Sequence, residues 1–82
     1  MASTLTRAIL CINTESCSKE VAGNLMLIPG VSKAYPSVGA YDVIAEIQGE
    51  SLSQLRTEVI PSIQRTHKVK STLTLTLIDN QR

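Results

Sequence analysis

The chain has 82 residues, eight Lys plus Arg against seven Asp plus Glu, and neither Trp nor Phe. One domain of this size buries only about 60 to 65% of its unfolded surface, so Ile, Leu, Val and Ala must build the core and oligomerisation is a natural supplement. The cations run from Arg7 to Arg82 without forming a stripe, which excludes a nucleic-acid groove and a polybasic membrane anchor; no apolar run approaches the ~20 residues of a span, and the start Met1-Ala2-Ser3-Thr4 lacks signal-peptide character, so the reading is a cytoplasmic protein.

Residues 6 to 13 read as a strand apolar on both faces, because Ala8, Leu10 and Ile12 alternate with Ile9 and Cys11. Ser16 or Ser18 then offers an N-cap, and Val21, Leu25 and Ile28 give a helix one apolar stripe that Pro29-Gly30 stops. Residues 31 to 38 read as a second strand, at an edge or bulged because Pro36 has no N–H to donate. Gly39-Ala40 turns the chain into a third strand, in which Tyr41, Val43, Ala45 and Ile47 form one apolar face. Ser51 to Gln54 has capping-box spacing, and Leu52, Leu55, Val59, Ile60 and Ile63 line a second helix that Pro61 is expected to kink or end at Ile60. In the last strand Leu73, Leu75 and Leu77 alternate with Thr72, Thr74 and Thr76.

This order is a βαβ unit repeated twice, residues 8 to 38 and 41 to 78. The fold class expected is α+β: a ferredoxin-like βαββαβ with a four-stranded antiparallel sheet and two helices on one face, of the dimeric α/β-barrel type. It makes a single domain over residues 1 to 82, with its core at about 7 to 78. The other sheet face is left bare, and protomers are expected to pair through it or through an edge.

The chemical inventory points away from catalysis. Cys11 and Cys17 match neither a redox pair nor a zinc knuckle, and the single His67 sits in a loop. The carboxylates have no spacing that makes a dyad, and GxGxxG and Walker patterns are absent, so neither cofactor nor metal is expected. RNA binding on such a sheet stacks bases on aromatic residues, and this chain has only Tyr35 and Tyr41, both near the turn. The remaining candidate is a polar cluster. The turn Gly39-Ala40-Tyr41-Asp42 and the segment Lys70-Ser71-Thr72 would come together in an oligomer, offering backbone N–H groups, a carboxylate and two hydroxyls that complement a zwitterion. Asp42 as a turn cap, and the threonines as plain strand formers, is the competing account.

The strings Ile28-Pro29-Gly30-Val31, Val38-Gly39-Ala40-Tyr41-Asp42-Val43 and Val69-Lys70-Ser71-Thr72-Leu73-Thr74 resemble the effector-binding (RAM) domain of Lrp/AsnC-type transcription regulators, over roughly residues 7 to 78. The resemblance implies a βαββαβ dimer built through its sheets, often assembled into rings, with an amino acid bound between dimers. By position it implies ligand contacts at Gly39, Tyr41 and Asp42 and at Ser71, Thr72 and Thr74. About six residues precede the first strand where full-length members carry a DNA-binding segment, so the expectation is a stand-alone module that senses an amino acid or partners full-length regulators. Pro61 and Thr66-His67-Lys68-Val69, which stands in place of a Pro-Gly-Val-like turn, depart from the pattern. A small cofactor-independent enzyme of the dimeric α/β-barrel type and a ligand-free adaptor are the alternatives.

Overall fold

A computed structural model describes residues 6 to 76. Four strands, β1 (Thr6–Thr14), β2 (Val31–Pro36), β3 (Val43–Gly49) and β4 (Val69–Thr76), form one antiparallel sheet in the order β2-β3-β1-β4. Helix α1 (Ser18–Leu25) links β1 to β2. The second helix links β3 to β4 in three consecutive pieces: α2 (Leu52–Gln54), a π turn (Leu55–Val59) and α3 (Ile60–Gln64). This is the ferredoxin-like βαββαβ order.

Strand alternation explains which face the helices cover. Ala8, Leu10 and Ile12 of β1 and Val43, Ala45 and Ile47 of β3 are buried with Val21, Ala22 and Leu25 of α1 and with Leu55, Val59 and Ile63 of the second helix. This core is aliphatic, and no polar or charged residue is buried among the described residues. The opposite face carries Ile9 and Cys11, Ile44, and Leu73 and Leu75, the last two about half exposed at 47% and 48%. β1 is thus apolar on both faces, as read from its sequence, but within one chain only one face is covered. In β4 the threonines Thr72 and Thr74 turn to the helix side, opposite Ile12 and Leu10, and the leucines turn to the open face. Leu77 lies outside the described residues.

Several boundaries differ from the sequence reading for local reasons. Neither Ser16 nor Ser18 caps α1. Cys17 occupies the N-cap in a left-handed conformation, φ 57°, without a side-chain cap, and the helix ends at Leu25 rather than reaching Ile28. Ile28 still packs on the core from the following turn. β2 is an edge strand, as Pro36 requires, but it stops at Pro36 and its irregularity lies between Val31 and Lys33. β3 begins at Val43, so Tyr41 and Asp42 belong to the turn. The capping residue Ser51 does accept from the Gln54 N–H at 3.1 Å, while the Gln54 side chain reaches back to the Glu50 N–H at 2.7 Å.

Pro61 neither ends nor breaks the second helix at Ile60. A proline there has no N–H for the Thr57 carbonyl and its ring crowds that oxygen, and the helix widens upstream instead, with the Ile60 N–H donating to the Leu55 carbonyl five residues back. The widening also keeps Leu55, Val59 and Ile63 on the core side, since steps of four residues drift round an ordinary α-helix by about 40° each. All three are buried, at 0%, 4% and 0% exposure.

Candidate functional site

The turn between β2 and β3 is tied down by Asp42. Its backbone N–H donates to the Ile12 carbonyl at 2.9 Å, its carbonyl accepts from the Ser37 N–H at 2.7 Å, and its carboxylate oxygen Oδ2 accepts from the Thr14 N–H at 2.9 Å. One residue therefore closes the turn and fastens it to the end of the central strand. Thr14 is the residue that sequence reasoning missed, because a backbone donor leaves no mark in side-chain patterns. Gly39, φ 111°, supplies the left-handed step, and a Cβ there would meet nothing within 4 Å, so conformation alone calls for glycine. Val38 beside it is 95% exposed, whereas Tyr41 and Asp42 are half-buried.

Ser71 and Thr72 lie at the same end of the sheet, on the far side of β1. Register sets Ile12 between Val43 and Thr72, and Asn13 opposite Ser71, so two strand spacings, about 10 Å, separate β3 from β4 there. The two halves of the sequence-derived cluster are thus at one end of one sheet but do not touch within a chain. They also diverge. Ser71 points to the open face, where Asn13 Nδ2 donates to its Oγ at 3.5 Å; Thr72 points to the helix side, where Gln64 Nε2 donates to its Oγ1 at 3.2 Å. Thr74 is one pleat further in, opposite Leu10.

A second knot stands at the same end. Cys17 and Lys68 are the two non-glycine residues with positive φ among the described residues, 57° and 75°, and Lys68 Nζ lies 3.6 Å from Cys17 Sγ and 3.4 Å from Glu20 Oε1. The Lys68 carbonyl accepts from the Glu15 N–H at 2.9 Å. The hydrogen bond to Glu20, then the neighbouring Cys17, holds the Lys68 ammonium above its ordinary pKa of 10.5.

On the open face the Tyr35 hydroxyl donates to Glu46 Oε2 at 2.5 Å, and this hydrogen bond, which is lost with the proton, raises the phenol above 10.0, with the Glu46 charge a lesser cause. Tyr35 and Glu46 are diagonal neighbours across β2 and β3, a pairing legible once the hairpin register is known. Both raised groups stabilise the fold below their ordinary values, and that contribution disappears as the pH climbs through the raised ones. The melting temperature is therefore expected to be flat near neutrality and to fall above about pH 10. Tyr35→Phe should shrink the alkaline fall in a pH series of thermal melts.

No family model and no curated protein matches the sequence. Solved structures do match. The fold superposes on FFRP-DM1 with TM-score 0.79 at 26% identity, over 89% of this chain and 99% of that one. It superposes on AsnC of E. coli with TM-score 0.80 at 23% identity, and on the leucine response regulatory protein LrpA of Mycobacterium tuberculosis with TM-score 0.76 at 18% identity, over 92% of this chain in each case. The chain has the fold of an Lrp/AsnC-type effector (RAM) domain. It spans 52% of AsnC and 51% of LrpA, about half the length of those two regulators. Within this fold the Gly39 to Asp42 turn and the Ser71 segment lie at the same end of the sheet. Among the described residues no helix is long and apolar enough to cross a membrane, and no group of three His, Cys, Asp or Glu could hold a metal ion.

Proposed function

We propose that this chain is a cytoplasmic, non-catalytic effector module that binds an amino acid or a similar small zwitterion and acts in transcription regulation. The observation that carries the reading is the match to FFRP-DM1 along 99% of its length, with LrpA, a leucine response regulator, sharing the fold. Protomers pair through the open sheet face, and the ligand sits where the Gly39, Tyr41 and Asp42 turn of one pair meets Ser71, Thr72 and Thr74 of a neighbouring pair in a larger ring. Full-length regulators of the same fold are its natural partners.

The hairpin geometry supports a preformed site, because the Thr14 N–H uses only one Asp42 oxygen and Oδ1 remains for an ammonium group. The test follows from that division. Amino acids should raise the melting temperature of the wild-type chain, since a ligand that binds only the native assembly stabilises it by mass action. Asp42→Asn keeps an oxygen for the Thr14 N–H and should melt near wild type while losing the ligand-dependent rise. Asp42→Ala also orphans that N–H, at about 1 to 3 kcal/mol. A thermal-shift screen with all twenty amino acids in which nothing moves, with assembly size unchanged, sinks the sensing reading. The open apolar face then favours a ligand-free adaptor that pairs with a full-length regulator, seen by co-purification.

A further inference from the structure

We infer that the open sheet face is self-complementary in charge as well as apolar, and that Glu46 of one copy pairs with Lys33 and Arg7 of a second copy across the contact. The inference rests on the reading that protomers pair through this face. Three observations lead to it. First, the face is an apolar field of Ile9, Cys11, Ile44, Leu73 and Leu75, and the charged residues its described strands carry are Arg7 on β1, Lys33 on β2 and Glu46 on β3. Second, Glu46 is oriented: Tyr35 holds Oε2, which fixes the carboxylate and leaves Oε1. Third, no ion pair closes here within the chain: Lys33 is the cross-strand partner of Glu46 on this face, yet it and Arg7 are exposed, and among the described residues the ion pair at bonding distance is Lys68–Glu20, at the opposite end of the sheet. A depression of about 250 Å³ opens beside Glu46, lined by Arg7, Ile9, Ser32 and Gln48, and gives an incoming side chain a place to enter.

Two like faces brought together in water bring two carboxylates and four cations into a partly dry contact. Without Glu46 the cations would meet only each other; with it, each carboxylate has a cation on the opposite copy within reach of a long, flexible stem. Apolar residues supply the area, and the seam selects the partner and its orientation.

The dimer constant of the full chain, measured by sedimentation equilibrium at low and high NaCl, tests this. Wild type is expected to dimerise, more weakly as NaCl screens the seam. Glu46→Gln, which still accepts from Tyr35, should weaken the dimer by roughly tenfold or more. Glu46→Lys should be monomeric alone, because it presents only cations, and should form a one-to-one heterodimer when mixed with Lys33→Glu, which supplies two carboxylates. Circular dichroism on each variant checks folding; should Glu46→Lys fail to fold, the Arg7→Gln and Lys33→Gln double variant takes its place and is also expected to weaken the dimer tenfold. A Glu46→Gln dimer as tight as wild type, or a mixture no tighter than its separate components, overturns the seam while leaving face pairing intact. A wild-type chain that stays monomeric at every concentration overturns the face-pairing reading itself.

Discussion

Replacing Gly30 with Ala is expected to cost about 2 to 5 kcal/mol of unfolding free energy, from two separate sources. Gly30 has φ 99°, a conformation that an L side chain adopts only with strain, and a Cβ built there would lie 2.6 Å from Val59 Cγ2. Val59 is 4% exposed and belongs to the π turn, so it has nowhere to retreat without disturbing Leu55 and Ile63. The Gly30 carbonyl also accepts from the Gln48 N–H at 2.8 Å, which ties the start of β2 to the end of β3. Gly39→Ala is the matched control. Its φ is 111°, but nothing lies within 4 Å of the added carbon, so only the conformational cost of about 1 to 2 kcal/mol applies. For a domain whose whole stability is roughly 4 to 12 kcal/mol, the Gly30 variant should melt at least 10 °C lower, and circular dichroism melts of the two alanine variants separate strain from collision. Equal losses at both positions would remove the collision with Val59 from the account.

That glycine also marks where the sequence was readable and where it was not. Alternation in β1, β3 and β4 and the stripe through Val21 and Leu25 were enough to order the elements and to place both helices on one face, because burying an apolar face leaves a periodic trace. Cys17 at an N-cap and Lys68 in the turn before β4 left no such trace. Left-handed backbone is expected of glycine or asparagine, and these two positions are held by contacts between Glu15, Glu20, Cys17 and Lys68 that join residues about fifty positions apart. Pro61 announced a disturbance, and its form, a π turn upstream rather than a break, depended on the core keeping Leu55, Val59 and Ile63 aligned.

At the rim the same division holds. Gly39 and Asp42 were visible as a glycine step followed by an acid. The competing accounts of Asp42 turn out to be compatible, because one carboxylate oxygen fastens the turn to Thr14 and the other is left over. Ser71 and Thr72 share that end of the sheet, but β1 stands between them and the turn, so no single chain joins the two halves. A site that uses both needs a second chain, which makes the open face and the rim parts of one question.

Leu10→Ala is expected to cost about 2 to 5 kcal/mol, whereas Leu75→Ala, one strand away, should cost the isolated chain about 1 kcal/mol or less. Leu10 is 0% exposed, sits on the central strand between Ala45 and Thr74, and faces the helices, so its removal leaves a cavity that neither β3 nor β4 can close. Leu75 pairs with Ile9 on the opposite face and is 48% exposed, so in a single chain half of its surface has already been left to water. The difference should depend on concentration. The Leu10→Ala loss belongs to the fold and appears equally in dilute and concentrated samples by denaturant titration. The Leu75→Ala loss belongs to whatever covers the open face and should grow as protein concentration rises and pairing begins to contribute to stability. A Leu75→Ala loss that stays small at every concentration, in a chain that nevertheless dimerises, would move the contact off this face and onto an edge strand.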